Sequence, residues 1–284
     1  MRLTAPSLCG LLLLANACVP VEGSSEPVAT TTHALLRVER SAHVGVQTEP
    51  TGLAFAGVVR VPELADPEPL LRLSGKSVTL PGAGQCLVPN RERDAVPLTD
   101  LARAEFLNAG DVTLGTSGAR TLLAPRAFPL DVSGVVYTSR DRASEPLPSG
   151  AAYILKTTGS EQLPPLELRV QAPDELRDVT LDGTALEALT SVDSAIAVQL
   201  AWRPGDARDT VYVEVAGSPD AGTLGVCAFR DSEGQGALPR GLFGAAGSGS
   251  LAFHRLREVA ADVATLDGAE VRFDFALTAD VAFR

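Results

Sequence analysis

An all-β fold, an antiparallel β-sandwich built as one large sandwich or two packed ones, is what the sequence predicts, and three observations predict it. Val271, Phe273, Phe275, Leu277, Ala279, Val281 and Phe283 occupy every second position near the C-terminus, with Glu270, Arg272, Asp274, Thr278 and Asp280 between them. A period of two sends the two sets to opposite faces of a strand, so one face should be dry and the other wet. Shorter runs of the same texture recur along the chain, punctuated by Gly, Pro and Asp where the backbone must reverse. Sustained spacing of three and four is almost absent, and the short connections exclude a purely parallel sheet.

The chain opens on MRLTAPSLCGLLLLANAC. One positive charge at Arg2, an apolar run from Leu8 to Leu14 and the small residues Ala15 and Ala17 make residues 1–17 a secretory leader, because the run is too short to span a bilayer as a helix. Ending on LLANAC, it resembles the leaders of bacterial lipoproteins, whose lipobox puts an apolar residue three before the cysteine and small residues beside it; Ala15 stands where Leu is usual. The resemblance implies a diacylglyceryl-modified, N-acylated Cys18 that binds the chain to a membrane. Val19 follows in place of the Asp that signals inner-membrane retention, which implies the outer membrane. An Ala-x-Ala end is also cut by the ordinary signal peptidase, leaving Cys18 a plain thiol on a secreted or periplasmic protein.

Residues 18–33, rich in Pro, Ser and Thr, read as a tether. Strands are expected at 34–39 and at 53–61, the latter ended by Pro62, which lacks a ladder donor. Further strands are expected at 70–73 and 76–80, and PGAGQC turns the chain toward Cys86. Residues 98–107, LTDLARAEFL, carry the one helical texture, and 111–114, 120–124 and 130–137 return to strand. The polar segment 141–149, DRASEPLPS, with its two prolines, divides an N-terminal β domain (34–140) from a C-terminal β-sandwich domain (150–284).

Beyond that boundary strands fall near 152–157, 166–170 and 176–181. Residues 195–230 read as three strands joined by the turns RPGDARD and GSPDAG, a meander in which Ile196, Val198, Leu200 and Trp202 share one face. Residues 250–263 should pair with the final strand through the tight turn Leu266-Asp267-Gly268-Ala269, with a bulge near Arg255 where the alternation shifts phase.

Composition narrows the class. The 284 residues are 45% hydrophobic and 21% charged, enough for substantial cores, and the net charge of −11 repels phosphate backbones, so nucleic acid is not an expected partner. Of the four cysteines, Cys9 leaves with the leader and Cys18 would carry lipid. Cys86 and Cys227 remain, an even number in an oxidising compartment, either bridged or buried separately. A bridge between them would contribute about 5 kcal/mol in the loop-entropy model. The order Cys86, Trp202, Cys227 resembles that of immunoglobulin-like domains, which implies that Trp202 packs near Cys227. The leader, NAGDVTL, LAWRPGD and GVCAFRD together resemble uncharacterised bacterial envelope lipoproteins with a β-sandwich mature region.

No catalytic residues are assigned. The only histidines are His33, at the tether's edge, His43 and His254, the last on the wet face of its strand, and no G-x-S-x-G elbow accompanies them. H-E-x-x-H and C-x-x-C are absent, and AAGSGS enters a strand where a phosphate loop would enter a helix. In a meander alternate turns lie at one end, which gathers Asp206, Asp209, Asp231 and Glu233. Such carboxylates are the oxygen donors Ca²⁺ takes, although turns favour Asp without any metal and no full calcium-loop pattern is present. No other cofactor is implied. The expected role is a lipid-anchored, non-catalytic binding or structural component of the cell envelope, its partner an envelope protein or a glycan. A calcium-stabilised adhesin or carbohydrate-binding module is the second reading, a secreted hydrolase the third.

Overall fold

The computed structural model describes residues 29–46, 50–63, 65–74, 79–88, 103–128, 133–139, 147–218, 222–243 and 246–284. The leader, Cys18, most of the expected tether, residues 141–146 of the 141–149 segment, residues 98–102 and much of the GSPDAG turn lie outside them. The first strands are β1 (Thr30–His43) and β2 (Thr51–Pro62), followed by helix α1 (Glu68–Leu73) and strands β3 (Gln85–Leu87), β4 (Glu105–Leu107), β5 (Val112–Gly115), β6 (Arg120–Ala127) and β7 (Ser133–Thr138). Next come β8 (Ala152–Thr157), β9 (Glu167–Gln171), β10 (Thr180–Leu181), β11 (Thr184–Ala185), β12 (Ser191–Val192) and β13 (Val198–Ala201). The chain closes with β14 (Thr210–Ala216), β15 (Thr223–Arg230), β16 (Gln235–Leu238), β17 (Gly247–Ala261) and β18 (Gly268–Phe283).

The fold is an all-β sandwich, mostly antiparallel, in which one long sheet serves two covering layers. Its strand order is β3-β15-β14-β17-β18-β1-β2-β4-β7-β6, and beyond β6 the sheet turns over into β5-β8-β9. That turned-over layer packs Leu114, Tyr153, Leu155 and Leu168 against Leu36, Val38, Val271 and Phe273. A separate sheet, β11-β10-β13-β16, covers the other half with Leu181, Leu200, Trp202 and Leu238 against Val213, Phe253, Val281 and Phe283. Strand β18 feeds both cores from one face: Val271, Phe273 and Phe275 enter the first, Ala279, Val281 and Phe283 the second. Its strict alternation is long because it builds two cores in succession.

Residues on either side of the 141–149 segment share this sheet. β1 runs parallel to β18, His33 opposite Gly268 and His43 opposite Thr278, and β5 pairs with β8. The pairing of β1 begins at Thr30, so residues 30–33, expected in the tether, are strand, tied down by the Thr32 N–H donating to Asp267 Oδ2 (2.6 Å).

Several expectations are corrected. Glu105–Leu107 is strand, and the short helix lies instead at Glu68–Leu73, where a strand was expected. Its start is written in Asp66-Pro67-Glu68: Asp66 Oδ1 accepts from the Glu68 N–H (2.9 Å), and Pro67 sits where a helix needs no donor. The first and second strands of the expected meander belong to different sheets, so RPGDARD crosses between layers while β14 and β15 form the hairpin. Ile196 precedes β13 and is exposed. β17 and β18 pair without interruption from Gly247↔Phe283 to Ala261↔Ala269, so the bulge at Arg255 does not exist. Nor is the outer face of β18 wet at its middle, since Arg272 and Asp274 are buried there. Leu70 and Leu71 of α1, with Phe106 and Phe128, cover β1 and β2 on that side, and Leu80 packs on Tyr212 and Leu256.

Cys86 and Cys227 are bridged, and both lie in or against the core that holds Trp202. They face each other across β3 and β15, so the bond ties a three-residue edge strand to the long sheet.

Candidate functional site

Two polar clusters lie on opposite faces of the β17–β18 pair. On the inner face, Arg255 and Arg257 continue the alternation of Leu251, Phe253, Val259 and Ala261, which places two guanidinium groups where the two cores meet. Buried arginines require matched acceptors, because an unpaired charge loses its hydration without compensation. Arg255 Nη2 donates to Asp231 Oδ1 (2.8 Å) and to the Arg203 carbonyl (2.9 Å), and its Nη1 donates to the Glu175 carbonyl (3.1 Å). Arg257 holds Asp209 through Nε (2.6 Å) and Nη2 (2.8 Å) and reaches the Gln171 carbonyl (3.1 Å). From β1, Arg40 joins them by an ion pair to Glu175 (3.0 Å). The arginines thereby fasten residues 171–175, which lead from one covering layer to the other.

The carboxylates singled out for calcium fall at this belt. Asp231 and Asp209 adjoin, the Asp231 N–H donating to the Asp209 carbonyl (3.2 Å), as the expectation of neighbouring turns required. Asp231 also accepts from Trp202 Nε1 (2.9 Å). Asp206 is held by Arg208 (2.6 Å) at the surface and lies 3.6 Å from Arg257, and Glu233 faces Arg230 (3.5 Å). Each of these carboxylates thus has a guanidinium beside it, although Asp231 Oδ2 itself is buried without a partner, and among the described residues no group of three or more His, Cys, Asp or Glu is arranged for a metal. Gly205 in RPGDARD has a steric reason: a Cβ there would lie 2.2 Å from Asp231 Oδ2. Burial pushes the Asp209 carboxyl up against the lowering pull of Arg257, whereas Arg208 holds half-buried Asp206 well below the carboxylate range.

The outer face carries a different cluster. The pairing aligns Tyr212, His254, Ala276, Ser41 and Thr51 in one row across β14, β17, β18, β1 and β2. His254, expected on a wet face, is only 5% exposed. Its ring stacks on Tyr212 with centroids 4.2 Å apart, and its Nδ1 donates to Asp274 Oδ1 (2.7 Å) while the Tyr212 hydroxyl donates to Oδ2 (2.5 Å). Burial alone would raise the Asp274 carboxyl, but His254, the Tyr212 hydroxyl and Arg272 together bring it to about 2. Burial, with Asp274 beside it, pushes the Tyr212 phenol far up, so it remains a donor. His254 Nε2 is buried without a hydrogen-bond partner among the described residues.

Beside this ring the small side chains of Ala252 and Ala276 leave a hollow of about 290 Å³, walled by Glu39, Ser41, Thr51, Leu53, His254 and Thr278. Alternation alone assigns His254 to this face; its burial depends on cover from residues far away in sequence. Of the other histidines, His33 Nε2 lies 3.0 Å from Thr31 Oγ1, and His43 faces Asp280 (3.3 Å). A wider hollow of about 620 Å³ at the far end of β18 is lined mainly by Gly, Ser and Thr.

No family model and no curated protein matches the chain. Among solved structures it is similar to the FN1-FN3 domains of chicken CNTN1, at 11% identity over 89% of this chain and 69% of that one, with a TM-score of 0.25. It is also similar to the Fcho1 Mu homology domain of Danio rerio with bound Eps15 peptide, at 9% identity over 90% and 97%, TM-score 0.27. A bacterial ice-binding adhesin matches at 12% identity over 88% and 86%, TM-score 0.16. At these TM-scores none of them carries an argument about this chain.

Proposed function

We propose that this chain is a non-catalytic binding or structural component of the bacterial cell envelope, held at a membrane by lipid on Cys18. The observation that carries the reading is the Cys86–Cys227 bridge, because bacterial disulfides form and persist outside the cytoplasm. The leader ending on Cys18 supports the same address and adds a means of attachment. Val19 supports the outer membrane. A sandwich whose two halves are riveted by buried ion pairs suits a rigid platform that presents a surface, and the outer-face hollow gives that surface a recess.

Intact-mass analysis of the full chain expressed in a Gram-negative host tests the anchor. The expected product begins at Cys18, carries a diacylglyceryl group and an N-acyl chain, and sediments with outer membranes, while Cys18→Ser abolishes acylation. An uncut N-terminus, or a product starting at Cys18 without acyl chains, would overturn the reading.

A further inference from the structure

We propose that the outer-face hollow beside His254 is a binding subsite for one unit of a neutral polyhydroxylated ligand, a sugar residue of a glycan. The proposal deepens the binding role above and does not depend on the lipid anchor. A ligand is indicated first by His254 itself. Its imidazole is more than nine-tenths buried, oriented through Nδ1 by Asp274 and stacked on Tyr212, yet its Nε2 has no partner among the described residues. Buried polar atoms are nearly always satisfied, so an unpartnered one on a residue that lines a cavity marks where a further partner belongs.

The class of ligand follows from the walls. With Asp274 ionised, the imidazole presents Nε2 as an acceptor when neutral and as a donor when protonated. A hydroxyl answers either form, which a pure anion or cation does not. Ser41, Thr51 and Thr278 around the rim are likewise both donors and acceptors, and half-buried Glu39 adds a carboxylate acceptor. The floor of Ala252, Ala276 and Leu53 is apolar, which suits the C–H face of a sugar ring. About 290 Å³ lies at the small end of small-molecule sites, room for one such unit with its chain continuing outward over the sheet. The cations nearest the hollow are already paired, Arg37 with Glu39 and Arg40 with Glu175, so among the described residues they offer an anion no free counter-charge.

The test is a titration of the full chain in detergent, followed through the ¹⁵N and ¹³C resonances of the histidine rings, with His33 and His43 as internal references. The probes are glucose, mannose and N-acetylglucosamine, set against inorganic phosphate and acetate. A saturable shift of the His254 ring with at least one sugar is expected, weakened by about tenfold or more when Ala276→Leu fills the hollow. Thr278→Val, which removes a rim hydroxyl at nearly constant volume, should weaken it too and serves if the leucine variant does not fold. A response to phosphate or acetate alone, no response to any probe, or a sugar response that survives both variants overturns the proposal. These outcomes are read independently of acylation at Cys18, so a missing anchor and an empty hollow are distinguishable failures.

Discussion

The two polar clusters back to back on β17 and β18 are made of similar parts and differ in what surrounds them. On the inner face each guanidinium meets a carboxylate and at least one backbone carbonyl: Arg255 with Asp231, Arg203 and Glu175, Arg257 with Asp209 and Gln171. On the outer face Asp274 is satisfied twice, but the histidine that satisfies it ends on an unpartnered nitrogen beside a cavity. Both clusters leave buried atoms unpartnered, Asp231 Oδ2 and Arg255 Nε on the inner face and His254 Nε2 on the outer, but the inner ones lie where the two cores meet whereas His254 lines a hollow. Buried charge alone therefore does not mark a site; a missing partner next to space does. The belt that the sequence nominates for calcium is the cluster enclosed between the two cores, and the histidine it assigns to solvent belongs to the one beside the hollow.

The largest way to break the contrast is to remove the Cys86–Cys227 bridge, which secures the edge strand leading on from the Leu80 segment that covers Tyr212. Cys86→Ala with Cys227→Ala should lower the unfolding free energy by up to about 5 kcal/mol, as expected for a loop of this length. Urea unfolding followed by the fluorescence of Trp202 measures it. Hydrogen exchange should rise first in β3, β15 and around Tyr212 while amides beside Arg255 stay protected. Equal loss of protection on both faces would show that the two clusters are one cooperative unit.

Next in size is Arg255→Met, which strands Asp231, fully buried, without its guanidinium. Removing one partner of a buried pair costs about 3–5 kcal/mol, and the companion change Asp231→Asn should recover part of it, since the uncompensated charge is then gone. A loss under 1 kcal/mol in Arg255→Met, read from the urea midpoint, would mean that the belt is not the rivet described.

How far the sequence foretold this arrangement depends on whether the signal is local. The alternation of β18 and the even pair of cysteines are legible, because each is a short-range pattern or a count, whereas the tight turn expected at Leu266–Ala269 is corrected: Gly268 already opens β18 without a positive φ, and the chain reverses through residues 262–267, where the Leu266 N–H donates to the Val263 carbonyl. Arg255 and Arg257 were misread as a change of phase: an arginine at an inward position looks like exposure until its acceptors appear, and those lie at Asp209 and Asp231, in another part of the chain. RPGDARD has the composition of a hairpin turn, and nothing local says that it carries the chain from one sheet to another. His254 could be placed on a face but not known to be covered. Helix α1 was the recoverable miss, since Asp66-Pro67 announces a helix start that the run LLRL obscures.

A smaller effect separates the clusters by pH. Asp274 has its carboxyl lowered to about 2 in the folded protein, against an unfolded value of about 3.9. A depressed pKa gives stability that is present above the unfolded value and is lost as the pH falls from about 4 through 2, here about 2 kcal/mol. Asp209 has the opposite sign, since burial raises it, so its protonation in that range does not weaken the fold. Unfolding midpoints measured down the acid limb should therefore flatten in Asp274→Asn and keep their slope in Asp209→Asn. The reverse pattern would place the acid-sensitive charge on the inner face.

The smallest change expected is at the surface pair beside the belt. Arg208 and Asp206 meet in the same two-pronged geometry as Arg257 and Asp209, with Nε and Nη2 on the two carboxylate oxygens. The two-pronged contact is matched and the solvent differs, for Arg208 is 66% exposed where Arg257 is 6% and also reaches the Gln171 carbonyl. Water and salt screen the outer pair and its side chains gain little from being fixed, so Arg208→Ala should leave the urea midpoint unchanged within error. Arg257→Ala, by contrast, should shift it as strongly as the Arg255 variant. Equal responses would mean that burial is not what gives the belt its strength, and enclosure of its ion pairs between the two cores would then no longer explain why it holds the sandwich together.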